Sequence, residues 1–451
     1  MENTGNLNSV TPNQKYAIGL LSIGTFLEYF DLMLYVHMAV LLNELFFPKT
    51  DPHTASILAA SAFCSTYVLR PFGALIFGYL GDNIGRKSTV IITTFIMSLS
   101  CLVMANLPTY EQIGITAAVV VTICRILQGM SSMGEGTGAE LYLTETTSPP
   151  ARYPVVATIV VSASIGTTAA LAMASLVTSY NLNWRLAFWI GAVVALIGTV
   201  ARTTLRETPD FADAKRRIQK VVKDAKEDPG ILKSSPIWQE QVNKKTALSL
   251  FLIQCLWPAC LYFAYIHCGN ILKSMFGFTS EQVIHQNFIV AMGQLVSYLL
   301  LTYLSYKVYP LNILKVKLAI FATFMLVCPY LLGHIDSSLQ LLLIQLFVVI
   351  FAPTDFPAAS IFYIHFPVFK RFTYASLMYA LSRALMSVIT SFGIVYLIDY
   401  FGHWGILVIM VPIILGYRFG LSHFQKLEQE LAYGAQKKTS ALYLNKARPA
   451  G

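Results

Sequence analysis

Two acidic residues, Glu28 and Asp31, lie three positions apart inside the first long apolar stretch of this chain. Residues with that spacing share a face of a helix, so the two carboxylates lie close together and repel each other. At least one of them should therefore hold a proton more tightly than an isolated carboxylate does. We expect this pair to carry a coupling proton, with Asp31 the better candidate; the alternative is that Glu28 only hydrogen-bonds a neighbouring helix.

A buried cation is expected in the fourth apolar stretch, where Arg125 and Gln128 share a helix face. A guanidinium stays ionised, so inside a membrane it needs a carboxylate partner or an anionic ligand. Glu135 lies about 15 Å further along the helix axis and can face a cavity at another level, as a further candidate for proton coupling. The alternative for Arg125 and Glu135 is an internal ion pair that only holds the helices together.

The second half of the chain also places an acid and a base inside apolar stretches, Asp355 and Arg383. Pro353 and Pro357 remove two backbone donors and should kink the helix around Asp355. A carboxylate in a broken membrane helix often lines a cavity, so Asp355 is a fourth candidate for proton coupling. Arg383 is a natural partner for Asp355 or for an anionic ligand.

The seventh apolar stretch is rich in amide and aromatic side chains, among them Gln254 and Tyr262. Such side chains can line a polar cavity, although others in the same stretch should only pack or lie in the aromatic belt at the membrane surface. Together with Arg125, Gln128 and Arg383, these two residues form the predicted substrate site.

Membrane-spanning helices are expected to hold these residues. The chain has 451 residues, of which 55% are hydrophobic and 12% charged, with a mean hydropathy of +0.59. A soluble domain usually carries about twice that charged fraction. A helix needs about twenty apolar residues to cross a bilayer. Twelve stretches qualify, near 16–40, 57–80, 88–106, 112–141, 154–178, 184–204, 246–268, 283–304, 312–333, 338–362, 373–398 and 402–423.

One long polar stretch separates the first six spans from the last six. The predicted architecture is an all-α membrane protein made of two six-helix halves, which form a parallel repeat. Its parts are an N-terminal half at 1–204, a central loop at 205–245, a C-terminal half at 246–423 and a tail at 424–451.

The lysines and arginines predict the orientation of these spans. Nearly all of those outside the spans fall on one side of the membrane, and the other side holds only Lys49, Arg185 and Lys273. The positive-inside rule then places both termini and the central loop in the cytoplasm. Because the central loop is basic and amphipathic, we expect it to lie on the membrane surface.

Other classes of protein have little support in the sequence. The net charge of +9 follows from the membrane orientation and does not indicate nucleic-acid binding. The seven cysteines lack metal-ligand spacing and are expected to be buried apolar residues. No nucleophile–base pair or metal cluster stands out, so we predict neither an enzyme nor a cofactor. The first apolar run has full span length and should remain in the membrane.

A short polar segment between the second and third spans carries both signs of charge. It reads Gly81-Asp82-Asn83-Ile84-Gly85-Arg86-Lys87. Its glycines permit a tight turn, and the spans it joins must be antiparallel neighbours. The pattern resembles the loop between helices 2 and 3 of the major facilitator transporters. We expect Asp82, Arg86 and Lys87 to hold the cytoplasmic ends of the two halves together; the alternative is an ordinary positive-inside loop.

Several further motifs resemble the metabolite:proton symporters, a family that includes importers of proline and betaine, 2-oxoglutarate, citrate and shikimate. The matching segments are Gly24-Thr25-Phe26-Leu27-Glu28-Tyr29-Phe30-Asp31, Arg70-Pro71-Phe72-Gly73-Ala74, Arg125-Ile126-Leu127-Gln128-Gly129, Tyr142-Leu143-Thr144-Glu145 and Arg206-Glu207-Thr208-Pro209. The resemblance implies that Glu145 and Arg152 belong to the gate. It also implies that Tyr379, in a partly kept F-P-x-x-x-R…S-x-x-Y segment, contacts substrate.

The second half of the chain departs from that family. Ile364 and His365 stand where an acidic residue is expected before Phe366-Pro367. The segment Ser305-Tyr306-Lys307-Val308-Tyr309-Pro310 lacks the acid and the Gly-Arg pair of the first-half loop. Because substrate sites in this fold use both halves, the departure leaves the substrate unassigned.

The leading hypothesis is a secondary active transporter that imports a small anionic or zwitterionic metabolite by alternating access, driven by protons. We expect it in a bacterial inner membrane, acting as a monomer on a small-molecule substrate. An exporter, an importer of a larger polycarboxylate such as a citrate-type siderophore, and sodium coupling remain alternatives. A non-transporting sensor or receptor is the alternative of a different class.

Overall fold

A computed structural model of the chain describes residues 10–47, 67–179, 183–209, 212–213, 215–216 and 241–446, and in these ranges it is helical without any β-strand. The helices of the N-terminal half are α1 (Pro12–Phe46), α2 (Arg70–Asn83), α3 (Arg86–Asn106), α4 (Ile115–Thr146), α5 (Arg152–Ser179) and α6 (Arg185–Arg202). Those of the C-terminal half are α7 (Lys244–Leu261, continued by a π-helical turn at Tyr262–His267 and by Cys268–Phe276), α8 (Ser280–Lys307), α9 (Pro310–Leu332), α10 in two parts (Ser338–Phe351 and Ala359–Ile364), α11 (Val368–Phe401) and α12 (Gly405–Lys446).

The predicted spans coincide with these helices. In the described part of the chain, α3, α4, α5, α7, α8, α9, α11 and α12 are long and apolar enough to cross a membrane. The other four predicted spans fall on α1, α2, α6 and α10. The start of the second predicted span (57–66) and most of the predicted surface loop (217–240) lie outside the described residues.

Large apolar side chains remain exposed on several helices. Ile197, Val200, Leu300 and Leu326 are each between 58% and 64% exposed. A soluble protein would bury most such surface, whereas a bundle in a bilayer presents it to lipid. The exposure pattern therefore agrees with a membrane-embedded bundle.

The predicted kink in the tenth span is a full break. The first part of α10 ends at Phe351 and the second part begins at Ala359. Two prolines, Pro353 and Pro357, lie in the non-helical segment, because neither can donate the backbone hydrogen bond that a continuous helix requires. The break places Asp355 on irregular backbone inside the bundle.

The turn between α2 and α3 is shorter than predicted. Gly81 and Asp82 belong to the last turns of α2, Arg86 begins α3, and the connection is Ile84-Gly85. Gly85 has a φ of 133°, a conformation that residues with side chains rarely adopt. The gate residues are consequently fixed on helix ends and not carried on a free loop.

The two halves meet along two helix pairs. α2 packs along α11, and α5 packs along α8. In a parallel repeat each helix corresponds to the one six places later, so the two contacts are equivalent by the repeat. The end of the bundle where α2 meets α3, which the charge pattern predicts to face the cytoplasm, is called the inner end below.

Candidate functional site

Asp82 joins the two halves at the inner end. Its Oδ1 accepts a hydrogen bond from the backbone N–H of Phe372 at 3.0 Å, and its Oδ2 accepts from the backbone N–H and the Oγ1 of Thr373 at 2.8 and 2.7 Å. Asp82 is 1% exposed, so these bonds replace the water that a carboxylate would otherwise hold. The side chain ties α2 directly to the beginning of α11.

Arg86 extends this contact into a buried ionic network. Its guanidinium donates to both oxygens of Glu145 at 3.2 and 3.1 Å, and to the backbone oxygen of Val368 at 2.6 Å. It also pairs with Asp82 at 3.5 Å. Arg371 of α11 donates to the same Glu145 carboxylate at 3.0 Å. Glu145 thus lies between two guanidinium groups, one from each half.

Glycines in α2 permit the close approach that these bonds need. A Cβ added at Gly78 would lie 2.6 Å from the Cα of Thr373, and one at Gly81 would lie 2.3 Å from the ring of Phe372. Small residues at such positions allow helices to pack backbone against backbone in a membrane. Both glycines are therefore part of the inner contact.

The segment after α6 completes the network, which the sequence did not predict. Thr208 donates through Oγ1 to Glu145 at 2.6 Å, and Glu207 accepts the backbone N–H of Arg86 at 3.1 Å. The only available signal was the resemblance of Arg206-Glu207-Thr208-Pro209 to the family's exit from helix 6, which says nothing about these partners.

Two other predicted gate residues lie beside the network. Lys87 is partly exposed in the first turn of α3, next to the fully buried Arg86. Arg152 begins α5, and its Nε donates to the backbone oxygen of Thr147 at 2.7 Å, which stabilises the corner between α4 and α5.

The second half of the chain builds a different contact at the inner end. Glu428 of α12 accepts a hydrogen bond from Tyr309 at 2.5 Å, and its carboxylate lies 2.9 Å from the Nε2 of His365. The ring of Tyr309 packs edge-on against Tyr153 of α5, with 6.0 Å between ring centroids. Burial, followed by the bond to Glu428, raises the pKa of Tyr309 well above its ordinary value, so this phenol remains a donor.

In the N-terminal half, a buried amide side chain links a carboxylate to a guanidinium group through hydrogen bonds. Gln128 donates through Nε2 to Asp31 at 2.5 Å and accepts from Arg125 at 3.0 Å. All three side chains are at most 2% exposed. Glu28 also faces α4, because a Cβ added at Gly136 would lie 3.5 Å from its Oε2. The carboxylate pair and the predicted cation therefore occupy one contact between α1 and α4.

The side chain of Glu135, the remaining candidate in α4, lies outside the described residues.

A corresponding cluster in the C-terminal half contains Arg383. This residue donates to the backbone oxygen of Gln254 at 2.7 Å, and its guanidinium lies over the ring of Tyr379, 4.2 Å from the centroid. Gln254 in turn donates to Asp355 at 2.8 Å. Arg383 and Asp355 are thus linked through Gln254, whose backbone oxygen accepts from Arg383 and whose side-chain amide donates to Asp355.

The candidate tyrosines lie in different places. The hydroxyl of Tyr379 is 3.3 Å from the hydroxyl of Tyr29 in α1, which links the Arg383 cluster to the N-terminal half. Tyr262 begins the π-helical turn of α7 and packs, partly buried, against the apolar core of the C-terminal half.

One acidic residue in the site was missed by the sequence analysis. Tyr363, in the second part of α10, donates to the Oε2 of Glu140 in α4 at 2.7 Å. Glu140 falls inside the predicted fourth span, so the rule that singles out intramembrane charges applied to it as well. Its position one residue from the end of that predicted span hid the signal.

A metal centre has no support in the described ranges, where no three His, Cys, Asp or Glu side chains could hold an ion. The arrangement instead offers buried carboxylates and guanidinium groups at two levels, closed at the inner end by bonds between the halves.

The chain belongs to the Major Facilitator Superfamily, whose sequence pattern it matches over residues 21–391. It is 34% identical over 206 residues to the proline/betaine transporter of Escherichia coli, a match that covers 43% of this chain and 40% of that protein. It is 35% identical over 208 residues to the inner membrane metabolite transport protein YhjE of Escherichia coli, covering 44% of this chain and 47% of the relative. These matches span less than half the length of either relative.

Solved structures show the same fold. The proton:xylose symporter XylE matches with a TM-score of 0.71 at 14% identity, over 89% of this chain and 94% of that one. The human organic anion transporter MFSD10 matches with a TM-score of 0.66 at 17% identity, over 91% of this chain and 100% of that one. The predicted architecture of two six-helix halves is thereby confirmed.

Proposed function

We propose that this protein is a secondary active transporter that works by alternating access. The observation that carries the proposal is the closed inner end, where Asp82 and Glu145 of one half accept hydrogen bonds from α11 of the other. A contact made of a few directional bonds between two rigid bodies can form and break as a unit. The protein would be in its inner-closed state in this structure.

The substrate is proposed to be a small anionic or zwitterionic metabolite. Arg125 and Arg383 place one guanidinium in each half, and buried guanidinium groups favour carboxylate ligands. The named relatives include a proline/betaine transporter and a glycine betaine/proline/ectoine/pipecolic acid transporter of Dickeya dadantii. Both names fit a substrate that carries a carboxylate.

Protons are the proposed coupling ion, with Asp31 the first carrier to test. Asp31 is buried, shares its amide partner with Arg125 and lies on the contact between α1 and α4. The likeness to XylE, a proton:xylose symporter, supports the same choice. The bacterial relatives support an inner-membrane location.

Uptake into proteoliposomes tests the proposal. The full chain would be reconstituted, and labelled proline, glycine betaine, 2-oxoglutarate, citrate and shikimate would be offered with an imposed proton gradient, a sodium gradient or none. We expect accumulation of at least one carboxylate compound only with the proton gradient. Binding without uptake of any of these compounds would favour the sensor alternative, and accumulation driven by sodium alone would contradict the choice of ion.

A further inference from the structure

We propose that Arg70 binds the carboxylate of the substrate, together with the hydroxyls of Tyr29 and Tyr379. This inference rests on the proposed function and adds a residue to its substrate site. Arg70 begins α2 and is 5% exposed. In the described part of the chain, its buried Nε and Nη2 have no hydrogen-bond partner. Because a guanidinium cannot lose its charge, such burial is costly until an anion binds.

The contact that Arg70 does make leaves its N–H groups unused. The guanidinium lies over the ring of Tyr67, 4.5 Å from the centroid, and a stacked ring meets the face of the group. Two other buried arginines of the N-terminal half donate to side chains. Arg86 bonds to a carboxylate in the gate, and Arg125 bonds to the amide of Gln128. Arg70 is therefore better placed than Arg125 to take up a carboxylate from outside the protein.

Arg70 and Arg383 lie at a similar level of the bundle, on neighbouring helices of different halves. The bond between Asp82 and Thr373 joins these two helices at the inner end. Arg70 lies twelve residues from Asp82, about 18 Å along α2. Arg383 lies ten residues from Thr373, about 15 Å along α11. Since the hydrocarbon core is about 30 Å thick, both cations lie near its middle.

Two tyrosines meet across the interface beside these cations. The hydroxyls of Tyr29 and Tyr379 are 3.3 Å apart, whereas O–H···O bonds are typically about 2.7–2.8 Å long. One hydroxyl donates to the other, so the second hydrogen remains for a further acceptor. Tyr29 interacts electrostatically with both Arg70 and Arg383. The long bond between the halves is therefore flanked by two positive charges.

A carboxylate between the two hydroxyls would accept a hydrogen bond from each and replace their bond to one another. Both tyrosines are partly exposed, so a ligand that enters between the halves can reach them. Glu28 also interacts electrostatically with Tyr29, but it lies beyond hydrogen-bonding distance of Nε and Nη2 of Arg70. The substrate carboxylate can therefore take the acceptor position that these two nitrogens leave open.

Binding to the full chain in nanodiscs tests this assignment. Equilibrium dialysis would measure the Kd of labelled proline, glycine betaine, 2-oxoglutarate, citrate and shikimate. For the compound that binds best, competition would give the Kd of its full methyl ester, which has no carboxylate. The ratio of the ester Kd to the acid Kd reports on carboxylate recognition, because damage to the structure weakens the binding of both compounds.

We expect Arg70→Gln to raise the Kd of the acid at least tenfold, the loss of one or more charge-assisted bonds, and to leave that of the ester unchanged. Tyr29→Phe keeps the ring but loses one donor, and should lower the ester-to-acid ratio by a smaller factor. Arg185→Gln is the matched control, since Arg185 also stacks on a ring but donates to a backbone oxygen. It should keep the parent ratio.

Spin labels report separately on the state of the gate. They would be placed at Asn83 on α2 and Lys307 on α8, which are both exposed at the inner end. Double electron–electron resonance then gives the fraction of open inner ends, with the labelled parent without added sites as background. Without ligand, Arg70→Gln should keep the parent's open fraction, because Arg70 lies far along α2 from the bonds that close this end.

Equal rises in Kd for acid and ester, an unchanged Kd for the acid, or a parent that binds none of the five compounds would overturn the inference. If Arg70→Gln does not fold, Tyr29→Phe decides, and an unchanged ratio in that variant overturns it. If Arg70→Gln binds and accumulates substrate as the parent does, the proposed function survives. If the parent binds a compound through Arg70 but never accumulates it, the function fails while the assignment of Arg70 stands.

Discussion

Most of the intramembrane charges lie against a group that satisfies them. Asp31 and Arg125 share Gln128, Asp355 and Arg383 share Gln254, and the gate carboxylates accept bonds from α11. Removing one partner of such a pair leaves the other buried without compensation, which costs several kcal/mol. The substitutions of these charged residues proposed below therefore keep a hydrogen-bonding group at each position, so that they change the conformational equilibrium more than the fold.

Replacement of Asp82 tests the gate. Asn at this position keeps one acceptor oxygen but turns its amide group towards the backbone N–H of either Phe372 or Thr373, so at least one charge-assisted bond of about 1.5–3 kcal/mol is lost. We expect Asp82→Asn to lower turnover by about tenfold or more and to raise the fraction of open inner ends. Asn83→Ala, at an exposed position in the same turn, should leave both unchanged. Normal transport by a well-expressed Asp82→Asn protein would remove Asp82 from the gate.

Replacement of Asp31 tests proton coupling. Asp31→Asn keeps an acceptor for Gln128 but cannot release a proton. We expect it to abolish accumulation against a gradient while exchange of labelled for unlabelled substrate continues, since exchange needs no net proton movement. Glu28→Gln is the neighbouring comparison. If both variants still accumulate substrate, the proton binds elsewhere, with Glu135, Glu140 and Asp355 next to be tested.

Replacement of Arg383 tests substrate recognition. Lysine keeps the charge but not the planar fork, which bonds Gln254 while stacking on Tyr379. We expect Arg383→Lys to raise the apparent Kd for substrate about tenfold, the loss of one charge-assisted bond. Arg185→Lys is a matched control, since Arg185 also donates to a backbone oxygen and stacks on a ring. Unchanged affinity, or a transported compound without an anionic group, would contradict this role.

At the scale of helices, the contact between α2 and α11 depends on the lack of a side chain at Gly78. A methyl group there would meet the backbone of Thr373 at 2.6 Å, and backbone cannot rotate out of the way. We expect Gly78→Ala to push the two helices apart by a few tenths of an ångström or more, weakening the bonds to Asp82 and raising the open fraction of inner ends.

Gly19→Ala in α1 is the control for that experiment, because a Cβ there meets nothing within 4 Å. Spin-label distances compare the two variants, and thermal unfolding separates a change of state from loss of fold. Identical behaviour of Gly78→Ala and Gly19→Ala would show that the close approach is not needed.

At the scale of the whole molecule, hydropathy and charge were enough to predict the helices and their grouping. A distortion of the helix around Asp355 also followed from Pro353 and Pro357 alone, because proline acts locally on the backbone, although the prediction was a kink and the structure has a full break. The partners of Glu145 did not follow, since Thr208 and Arg371 come from distant parts of the chain. The bond between Glu140 and Tyr363 did not follow either, because the two residues are 223 positions apart.

The two edges along which the halves meet at the inner end are built differently. Beside α2 and α11 the two halves are joined by a buried ion pair and by hydrogen bonds from backbone N–H groups. Beside α5 and α8 the ring of Tyr153 packs edge-on against Tyr309. We expect the first edge to act as a lock and the second as a hinge, since one aromatic ring can turn against another without losing contact. Once the bonds beside α2 and α11 break, the two halves would rotate about the α5–α8 edge and separate most widely beside α2 and α11. A substrate released to the cytoplasm would leave past α2 and α11, where the gap is widest.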